Sequence, residues 1–471
     1  MNEMMIPLSH DGKIPLYLQI YEHIKREIID GKISCEEKLP STRFLSAHLQ
    51  VSRSTVELAY EQLVSEGYIE ARPYRGYFIC DVSDLFDLGE REKEEITVEK
   101  KQKTIEREIK VDFSPTAVDL EHFAINAWRK VSKNLLYEES ASLFQEGEGI
   151  GEYALRQEIT RYLYQSRGVS CEPDQVIVGA GNEYLLMLLP QILGSNKRVA
   201  MESPTYMQAC ETFLNLGYQV RAVEMDMQGI QIEPLIQEDT DIVYVMPSHQ
   251  FPMGTVMPLK RRMELLKWAA LKEERYIVED DHDSEFRYKG KPIPSLQGSD
   301  KNEKVIYLGT FSKSIAPSVR VSYLVLPKKL MEIYRKKCAF YASTVPKVQQ
   351  MTICAFMREG HFERHLNKMR SIYRKKRDFF LEELKKRKWV KKICGGNAGM
   401  HILIEVQSHF SDEELEKLAE GIGVRIYPLS KYYIDGNGME ESPKILLGYG
   451  GLKEKEIERG LKELDKIMLF F

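Results

Sequence analysis

A lysine and an arginine follow one apolar run closely enough to act on the same ligand. Lys313 lies in a loop directly after the run 305–308, and Arg320 follows seven residues later. A loop at the end of a buried strand can present a lysine amine to an aldehyde, and a guanidinium assisted by the Thr310 hydroxyl can bind a phosphate. A lone lysine is usually a solvated surface charge, so Arg320 is the residue that favours a functional interpretation.

Acidic residues follow a second apolar run. The segment 276–283 reads YIVEDDHD, and strand alternation places Asp280 and His282 on the same face. A carboxylate at Asp280 would favour the protonated form of a ring nitrogen, and His282 could reach an oxygen on that ring. Two alternatives stay open at this point, because such a cluster can also bind a metal ion or be simply exposed.

A glycine-rich turn provides the third part. Gly181 and Asn182 follow the apolar run 176–178 and precede a helical segment, so free backbone amides there can cradle a phosphate. Such turns are common, and Glu183 is an unfavourable neighbour for a dianion unless its side chain points away. An amine, a ring acid and a phosphate cradle are together the parts that a pyridoxal phosphate site needs.

These three parts belong to a long region with alternating apolar runs and helical segments. The runs at 176–178, 198–201, 242–246, 276–278, 305–308 and 321–326 predict a mainly parallel sheet covered by helices on both faces. We expect this domain to span 112–471, with a large lobe over about 150–335 and a small lobe over about 336–471. The segment 81–111 is rich in Glu and Lys and predicts a linker.

The first 80 residues have a different pattern. Apolar residues at three- and four-residue spacing predict an amphipathic helix over 16–30, and Ser41 and Ser52 are the N-caps predicted for two further helices. The segment 68–79 predicts two short strands around a basic turn. Three helices and a hairpin make a winged helix-turn-helix.

Charge in this segment is uneven, although the whole chain carries a net charge of only -4. No acidic residue occurs from Lys38 to Val56, and in a helix-turn-helix the start of the second helix points at base edges. The alternative is a small helical domain with solvated arginines. The residues predicted to contact DNA are Ser41, Arg43, Ser52, Arg53, Ser54, Thr55 and Arg75.

Composition narrows the class of protein. The chain has 471 residues, 43% apolar and 29% charged, and its seven scattered cysteines include no C-x-x-C pair. We therefore expect reduced thiols, no metal site, no secretion signal, no membrane span and a cytoplasmic location.

Two stretches carry a family resemblance. The segment 15–79, including PLYLQIYEHIKREIIDG and KLPSTRFLSAHLQVSRSTVELAYEQLVSEGYIEARPYRGYFI, resembles the GntR-type winged helix. Nearly the whole chain resembles the MocR branch of GntR regulators, on FQEGEGIGEYALRQEITRYLYQSRGVSCEPDQVIVGAGNEY, MPSHQFPMG, VEDDHDSEFRY and YLGTFSKSIAPSVRVSYLVLP. The resemblance implies a multidomain α+β winged helix plus an α/β, fold-type-I, aminotransferase-like domain with a smaller C-terminal α+β lobe.

The resemblance also implies roles for the residues. Lys313 would form the internal aldimine and Asp280 would meet the pyridinium, while Arg320 and Thr310 would hold the phosphate. Tyr206 would stack on the ring, and the backbone at Gly181 and Asn182 would complete the cradle. The implied assembly is a homodimer, head-to-tail and domain-swapped.

Three positions depart from the family or from one of its members. The family has tyrosine where this chain has His282, and its GABA-sensing member has arginines at the positions that match Gln208 and Lys431. GABA is therefore not the expected effector. Lys431 or Arg425 is a candidate to meet an effector carboxylate, and the alternative is that both are solvated.

The sequence leads to one expected function and two rivals. We expect a transcriptional regulator that binds double-stranded operator DNA and senses an amino-acid-like effector through Lys313. The first rival is an active aminotransferase with an accessory DNA-binding module. The second is a sensor of pyridoxal phosphate itself, which needs no amino effector.

Overall fold

The structure is a computed structural model that describes residues 6–9, 14–81, 108–138, 141–288, 290, 293–436 and 442–468. The chain divides into two compact units, Met1–Glu106 and Arg107–Phe471. Most of the segment predicted as a linker, residues 82–107, lies outside the described residues.

The first unit is a three-helix bundle followed by a two-stranded antiparallel hairpin. The predicted helical spacing is present, because Ile20, Tyr21, Ile24 and Ile28 are all buried on one face of the first helix. The side chains of Ser41 and Ser52 accept hydrogen bonds from backbone amides and so cap the next two helices. The elements are α1 (Leu16–Ile29), α2 (Thr42–Leu49), α3 (Arg53–Ser65), β1 (Ile69–Arg72) and β2 (Gly76–Ile79).

The second unit is built on an eight-stranded sheet with the order β4-β11-β10-β9-β8-β5-β6-β7. Its strands are β4 (Val176–Gly179), β5 (Arg198–Ser203), β6 (Gln219–Asp226), β7 (Gly229–Ile230), β8 (Ile242–Val245), β9 (Tyr276–Asp281), β10 (Val305–Thr310) and β11 (Ser322–Val325). Successive residues of β10 join different apolar clusters: Ile306 packs into one and Tyr307 into another. Both faces of the sheet are therefore buried, as the continuous apolar runs predict.

The sheet is mainly parallel, as the sequence predicts, but it is not parallel throughout. Strands β6, β5, β8, β9 and β10 run parallel, but β11 is antiparallel to both of its neighbours, β10 and β4. Strands β6 and β7 do not appear among the predicted strands. Strand β6 lies near the sheet edge and alternates exposed and partly buried residues, so it has no continuous apolar run to reveal it.

A smaller sheet follows towards the C-terminus, with the antiparallel order β12-β13-β16-β15. Its strands are β12 (Val390–Gly395), β13 (His401–Val406), β15 (Tyr427–Pro428) and β16 (Lys444–Gly448). A separate parallel pair joins β3 (Val111–Asp112) to β14 (Val424–Arg425). Val111, the last residue of the segment predicted as a linker, is thus a buried strand residue that pairs with Val424.

Helices lie between many of these strands, and one follows the last strand. They are Ile125–Glu138, Tyr153–Arg167, Asn182–Leu186, Leu189–Leu193, Met207–Asn215, Glu233–Gln237, Leu259–Ala270, Lys328–Cys338, Lys347–Arg358, His361–Lys385, Asp412–Gly421 and Glu454–Met468. Within the described ranges, none of the helices has both the length and the apolar character needed to cross a bilayer.

Candidate cofactor site and DNA-binding surface

A cavity of about 270 Å³ lies in the second unit, where several strands of the large sheet end. Seven of the residues predicted to bind a cofactor line it: Lys313, Asp280, His282, Tyr206, Asn182, Thr310 and Arg320. The eighth, Gly181, precedes Asn182, and a Cβ added there would lie 2.4 Å from the Arg320 Nη2 atom. The structure therefore brings together residues that are up to 139 positions apart in the sequence, from Gly181 to Arg320.

Lys313 follows β10 and reaches into this cavity. Its Nζ donates a hydrogen bond to the backbone oxygen of Thr116 at 2.5 Å. Burial lowers the pKa of Lys313 to about 8, and the charge of Asp283 acts in the opposite direction. A lysine with this pKa is partly neutral near pH 7, and a neutral amine is the form that attacks an aldehyde.

Asp280 is buried at the end of β9 and has one oxygen without a partner. The Tyr244 hydroxyl donates to its Oδ2 atom, and the Asn182 amide donates to the same atom at 3.5 Å. Its Oδ1 atom has no hydrogen-bond partner within the described ranges, and burial raises the pKa of the carboxyl group. A buried acceptor without a partner is costly, and a protonated ring nitrogen of pyridoxal phosphate would satisfy it.

The neighbouring acids on β9 serve the interior instead. Glu279 accepts hydrogen bonds from the backbone amides of Leu296 and Gln297, and Asp281 forms a buried ion pair with Arg167 at 2.6 Å. Alternation along the strand thus sends Glu279 and Asp281 away from the cavity and Asp280 towards it. Of the acidic residues in 279–283, Asp280 and Asp283 line the cavity, whereas Glu279 and Asp281 have structural roles.

The part of the cavity predicted to hold a phosphate contains Arg320, Thr310 and the turn at Gly181. Arg320 Nη2 donates to Glu183 Oε2 at 2.9 Å, so the Glu183 side chain points towards the arginine. The Thr310 hydroxyl oxygen accepts hydrogen bonds from Ser322 Oγ at 2.9 Å and from the Ser312 amide at 3.1 Å. A phosphate here would share Arg320 with the Glu183 carboxylate or displace it.

Sequence reasoning missed several residues that line the cavity. Ser312 carries a hydroxyl in the same loop as Lys313, and that shared loop is the signal that would have found it. Thr116 and His401 also line the cavity, but they lie 197 residues before and 88 residues after Lys313. No local pattern connects such distant positions, so only the folded chain reveals them.

An aromatic pair forms part of the cavity wall. The ring of Tyr206 meets the ring of Phe251 edge to face, with 6.0 Å between the centroids. Burial raises the pKa of Tyr206, so its hydroxyl stays protonated at neutral pH. The two side chains offer the apolar surface on which a flat ring can pack.

The three residues predicted to bind an effector are not grouped together. Gln208 lines the cavity, but Lys431 and Arg425 do not. Lys431 Nζ lies 2.5 Å from a carboxylate oxygen of Glu416, and Arg425 Nε lies 3.4 Å from Glu420. Each cation therefore already has an acidic partner, which the sequence pattern did not reveal.

The predicted DNA-contacting residues lie mainly where α2 and α3 begin. Ser54 and Thr55 hydroxyls lie 2.8 Å and 2.7 Å from Ser52 Oγ, so the cap of α3 is part of a hydroxyl cluster. Arg53 pairs with Glu57 at 2.7 Å, and the Arg53 side chain is exposed whereas that of Glu57 is partly buried.

The other two arginines predicted to contact DNA differ from Arg53. Arg43, in the first turn of α2, and Arg75, in the hairpin turn, are exposed. Neither makes an ion pair with any residue that the structure describes. Both guanidinium groups are therefore available to phosphates.

Comparison with known families accounts for both units. The family "Bacterial regulatory proteins, gntR family" matches residues 16–79, and "Aminotransferase class I and II" matches residues 108–464. The HTH-type transcriptional regulator YdeL of Bacillus subtilis is 40% identical over 458 residues, which cover 97% of each chain. The chain belongs to the MocR-type branch of the GntR family. The resemblance inferred from the motifs is confirmed.

Other relatives of this MocR-type chain match over similar lengths. The "probable rhizopine catabolism regulatory protein MocR" of Rhizobium meliloti is 29% identical and covers 99% of this chain and 96% of its own. The "HTH-type pyridoxine biosynthesis transcriptional regulator PdxR" of Corynebacterium glutamicum is 30% identical, with 98% of both chains covered. Fusion of the two units is therefore common to these relatives.

Solved structures confirm the fold of the second unit. Kynurenine aminotransferase of Pyrococcus horikoshii has a TM-score of 0.68 and 23% identity, covering 76% of this chain and 91% of its own. The α-aminoadipate aminotransferase LysN of Thermus thermophilus has a TM-score of 0.66 and 25% identity, covering 76% and 92%. The fold class expected from the sequence, a winged helix plus a fold-type-I aminotransferase-like domain, is confirmed.

Proposed function

We propose that this MocR-type chain is a transcription regulator that binds a double-stranded operator and holds pyridoxal phosphate in the cavity at Lys313. An amino-acid-like effector, arriving at the same cavity, changes how the winged helix binds the operator. The proposal rests on the convergence of Lys313, Asp280 and Arg320 on one cavity in a chain that begins with a GntR winged helix.

The residues present fit this cofactor at three points. The partly neutral amine of Lys313 can hold an aldehyde, the free Oδ1 of Asp280 can accept from a ring nitrogen, and Arg320 can bind a phosphate. His282 Nε2 is also buried without a hydrogen bond within the described ranges. When bound, pyridoxal phosphate supplies an aldehyde that condenses with primary amines and absorbs visible light. The LysN structure holds N-(5'-phosphopyridoxyl)-L-leucine, a compound that combines this cofactor with an amino acid.

Each of the residues around the cavity has its own role. Asp280 keeps the ring nitrogen protonated, Tyr206 and Phe251 exclude water from the ring, and Arg320 anchors the phosphate. Gln208 lines the cavity and can donate a hydrogen bond to a polar group on the effector. Coupling to DNA requires that the effector bind two states of the protein with different affinity.

The assembly proposed is the head-to-tail homodimer implied by the family. The two winged helices of one dimer would contact two half-sites of the operator. Linking them raises the affinity for DNA although each winged helix makes the same contacts as before. A contact between an effector carboxylate and Lys431 or Arg425 stays a prediction.

The test combines the cofactor spectrum with operator binding. The purified full chain is loaded with pyridoxal phosphate, amino acids are screened for a change in visible absorbance, and operator affinity is measured for those that cause one. We expect at least one amino acid to change both. Lys336→Ala, which removes an exposed lysine outside the cavity, is the matched control for Lys313→Ala. Loss of the spectral response in both variants would contradict the proposal.

An active aminotransferase is the second candidate, because the same three residues suit transamination and the fold is that of aminotransferases. Steady release of keto acid over many cycles with an amino donor and a keto-acid acceptor would favour it. A single conversion that stops after one equivalent would favour sensing.

A further inference from the structure

Two histidines and an aspartate form a compact cluster beside Lys313. His249 Nδ1 lies 2.9 Å from Asp283 Oδ1 and 3.0 Å from Asp283 Oδ2. His282 Nε2 lies 3.4 Å from Asp283 Oδ1. One nitrogen or oxygen from each of the three residues lies within 4.8 Å of the others.

We propose that His249, His282 and Asp283 bind a divalent transition-metal ion of the Zn²⁺ type. Two imidazoles and one carboxylate are a ligand set that such ions take, with an open position left for water or another ligand. Bonds of about 2.0–2.1 Å at tetrahedral angles place ligand atoms roughly 3.3 Å apart. The separations of 2.9 Å and 3.4 Å to Asp283 bracket that value, and all three ligand atoms lie within 4.8 Å of one another, so side-chain rotations can bring them to one ion.

The environment of these atoms also suits a cation. The side chains of His249 and Asp283 are only 3% and 5% exposed, and a buried carboxylate is costly unless a positive charge compensates it. His282 Nε2 is buried and has no hydrogen-bond partner within the described ranges. The metal would take the place of the proton that His249 shares with Asp283, and that proton would leave to solvent.

Gly399 has no side chain, and the cluster occupies the space that a side chain at this position would fill. A Cβ added there would lie 2.1 Å from His249 Cε1 and 2.8 Å from Asp283 Oδ2. A side chain at position 399 would therefore displace the atoms proposed as ligands. The sequence predicts no metal site from its cysteines, which form no C-x-x-C pair, although the acidic residues after the run 276–278 left a metal ion open as an alternative. His249 and His282 are 33 residues apart, so no zinc-motif spacing connects them.

The metal site and the proposed cofactor site share residues. His282 and Asp283 line the cavity that Lys313 enters, so a bound cofactor would shield them. The test therefore uses the full chain, without an affinity tag, after the cofactor has been removed. Its readout does not depend on pyridoxal phosphate, so failure of the metal proposal is distinguishable from failure of the proposed function.

The experiment is a titration with Co²⁺ followed by visible absorbance, with Zn²⁺ added afterwards as a competitor. We expect one Co²⁺ per chain with the intense bands of a tetrahedral site, and we expect Zn²⁺ to abolish them. His249→Gln and His282→Gln should each weaken binding about tenfold or more. His365→Gln, which changes a buried histidine outside the cluster, should bind as the wild type does.

Wild-type protein that binds no Co²⁺, or that shows only the weak bands of an octahedral ion, would overturn the proposal even if a variant failed to fold. Equal binding by His282→Gln and the wild type would overturn it as well. Circular dichroism of each variant shows whether lost binding reflects the missing ligand or a lost fold.

Discussion

The winged helix and the cavity hold their candidate residues in different ways. Most of the predicted DNA-contacting residues lie between Ser41 and Thr55, at the starts of two adjacent helices, and their positions follow from local capping. The residues lining the cavity come from positions as distant as Pro115 and His401. A surface can be arranged by local structure, whereas a buried site requires the whole domain to close around it.

Lys313→Ala should abolish the attachment of the cofactor in the cavity and leave operator binding by the winged helix nearly unchanged. We expect complete loss of the visible chromophore, because no other lysine lines the described cavity. Operator binding without effector should stay within about twofold of wild type if the two units act independently in this respect. Absorbance spectra measure the chromophore, and operator titrations measure DNA affinity. A retained chromophore would disprove the role of Lys313.

The rate of cofactor incorporation should follow the pKa of the cavity lysine. Only the neutral amine reacts, and with the pKa lowered to about 8 it makes up about a tenth of the population near pH 7. The rate should therefore rise about fivefold from pH 7 to pH 8 and level off above that value. Stopped-flow absorbance of the cofactor-free chain measures it, and a rate that keeps rising towards pH 10 would indicate an ordinary lysine.

Arg43→Ala should weaken operator binding more than Arg53→Ala does. Arg43 makes no ion pair with any described residue, whereas Arg53 must be released from Glu57 before it can serve a phosphate. We expect the loss of Arg43 to reduce the slope of log affinity against log salt by about 1. Fluorescence anisotropy at several salt concentrations tests this difference, and an unchanged slope for both variants would argue against a phosphate contact at either residue.

Glu183→Gln should have the smallest effect, and in the opposite direction. The carboxylate of Glu183 occupies Arg320 and repels a phosphate, so its removal should tighten cofactor binding. Both side chains are partly exposed, and exposed ion pairs contribute about 0.2–1 kcal/mol, so the gain should not exceed about fivefold. Equilibrium titration with pyridoxal phosphate measures it, and weaker binding would show that Glu183 helps to position Arg320.

The strength of sequence prediction differs between these regions for physical reasons. Six strands of the large sheet were anticipated because each is a buried, continuous apolar run, while β6 was missed because one side of it is exposed. The position of Asp280 towards the cavity followed from strand alternation. The positions of Lys431 and Arg425 did not follow from any pattern, because Glu416 and Glu420 compete for them only in the folded chain.

The sequence was enough to predict the family, the order of the two units, the capped helices of the winged helix and the lysine that enters the cavity. These features depend on periodicity, capping and motifs, which act over a few residues at a time. The folded chain was needed to show that Asp283 also lines the cavity, that Glu183 occupies Arg320, and that His249, His282 and Asp283 lie together. Those contacts join residues that are distant along the chain, and they form only when the sheet brings the ends of its strands to one place.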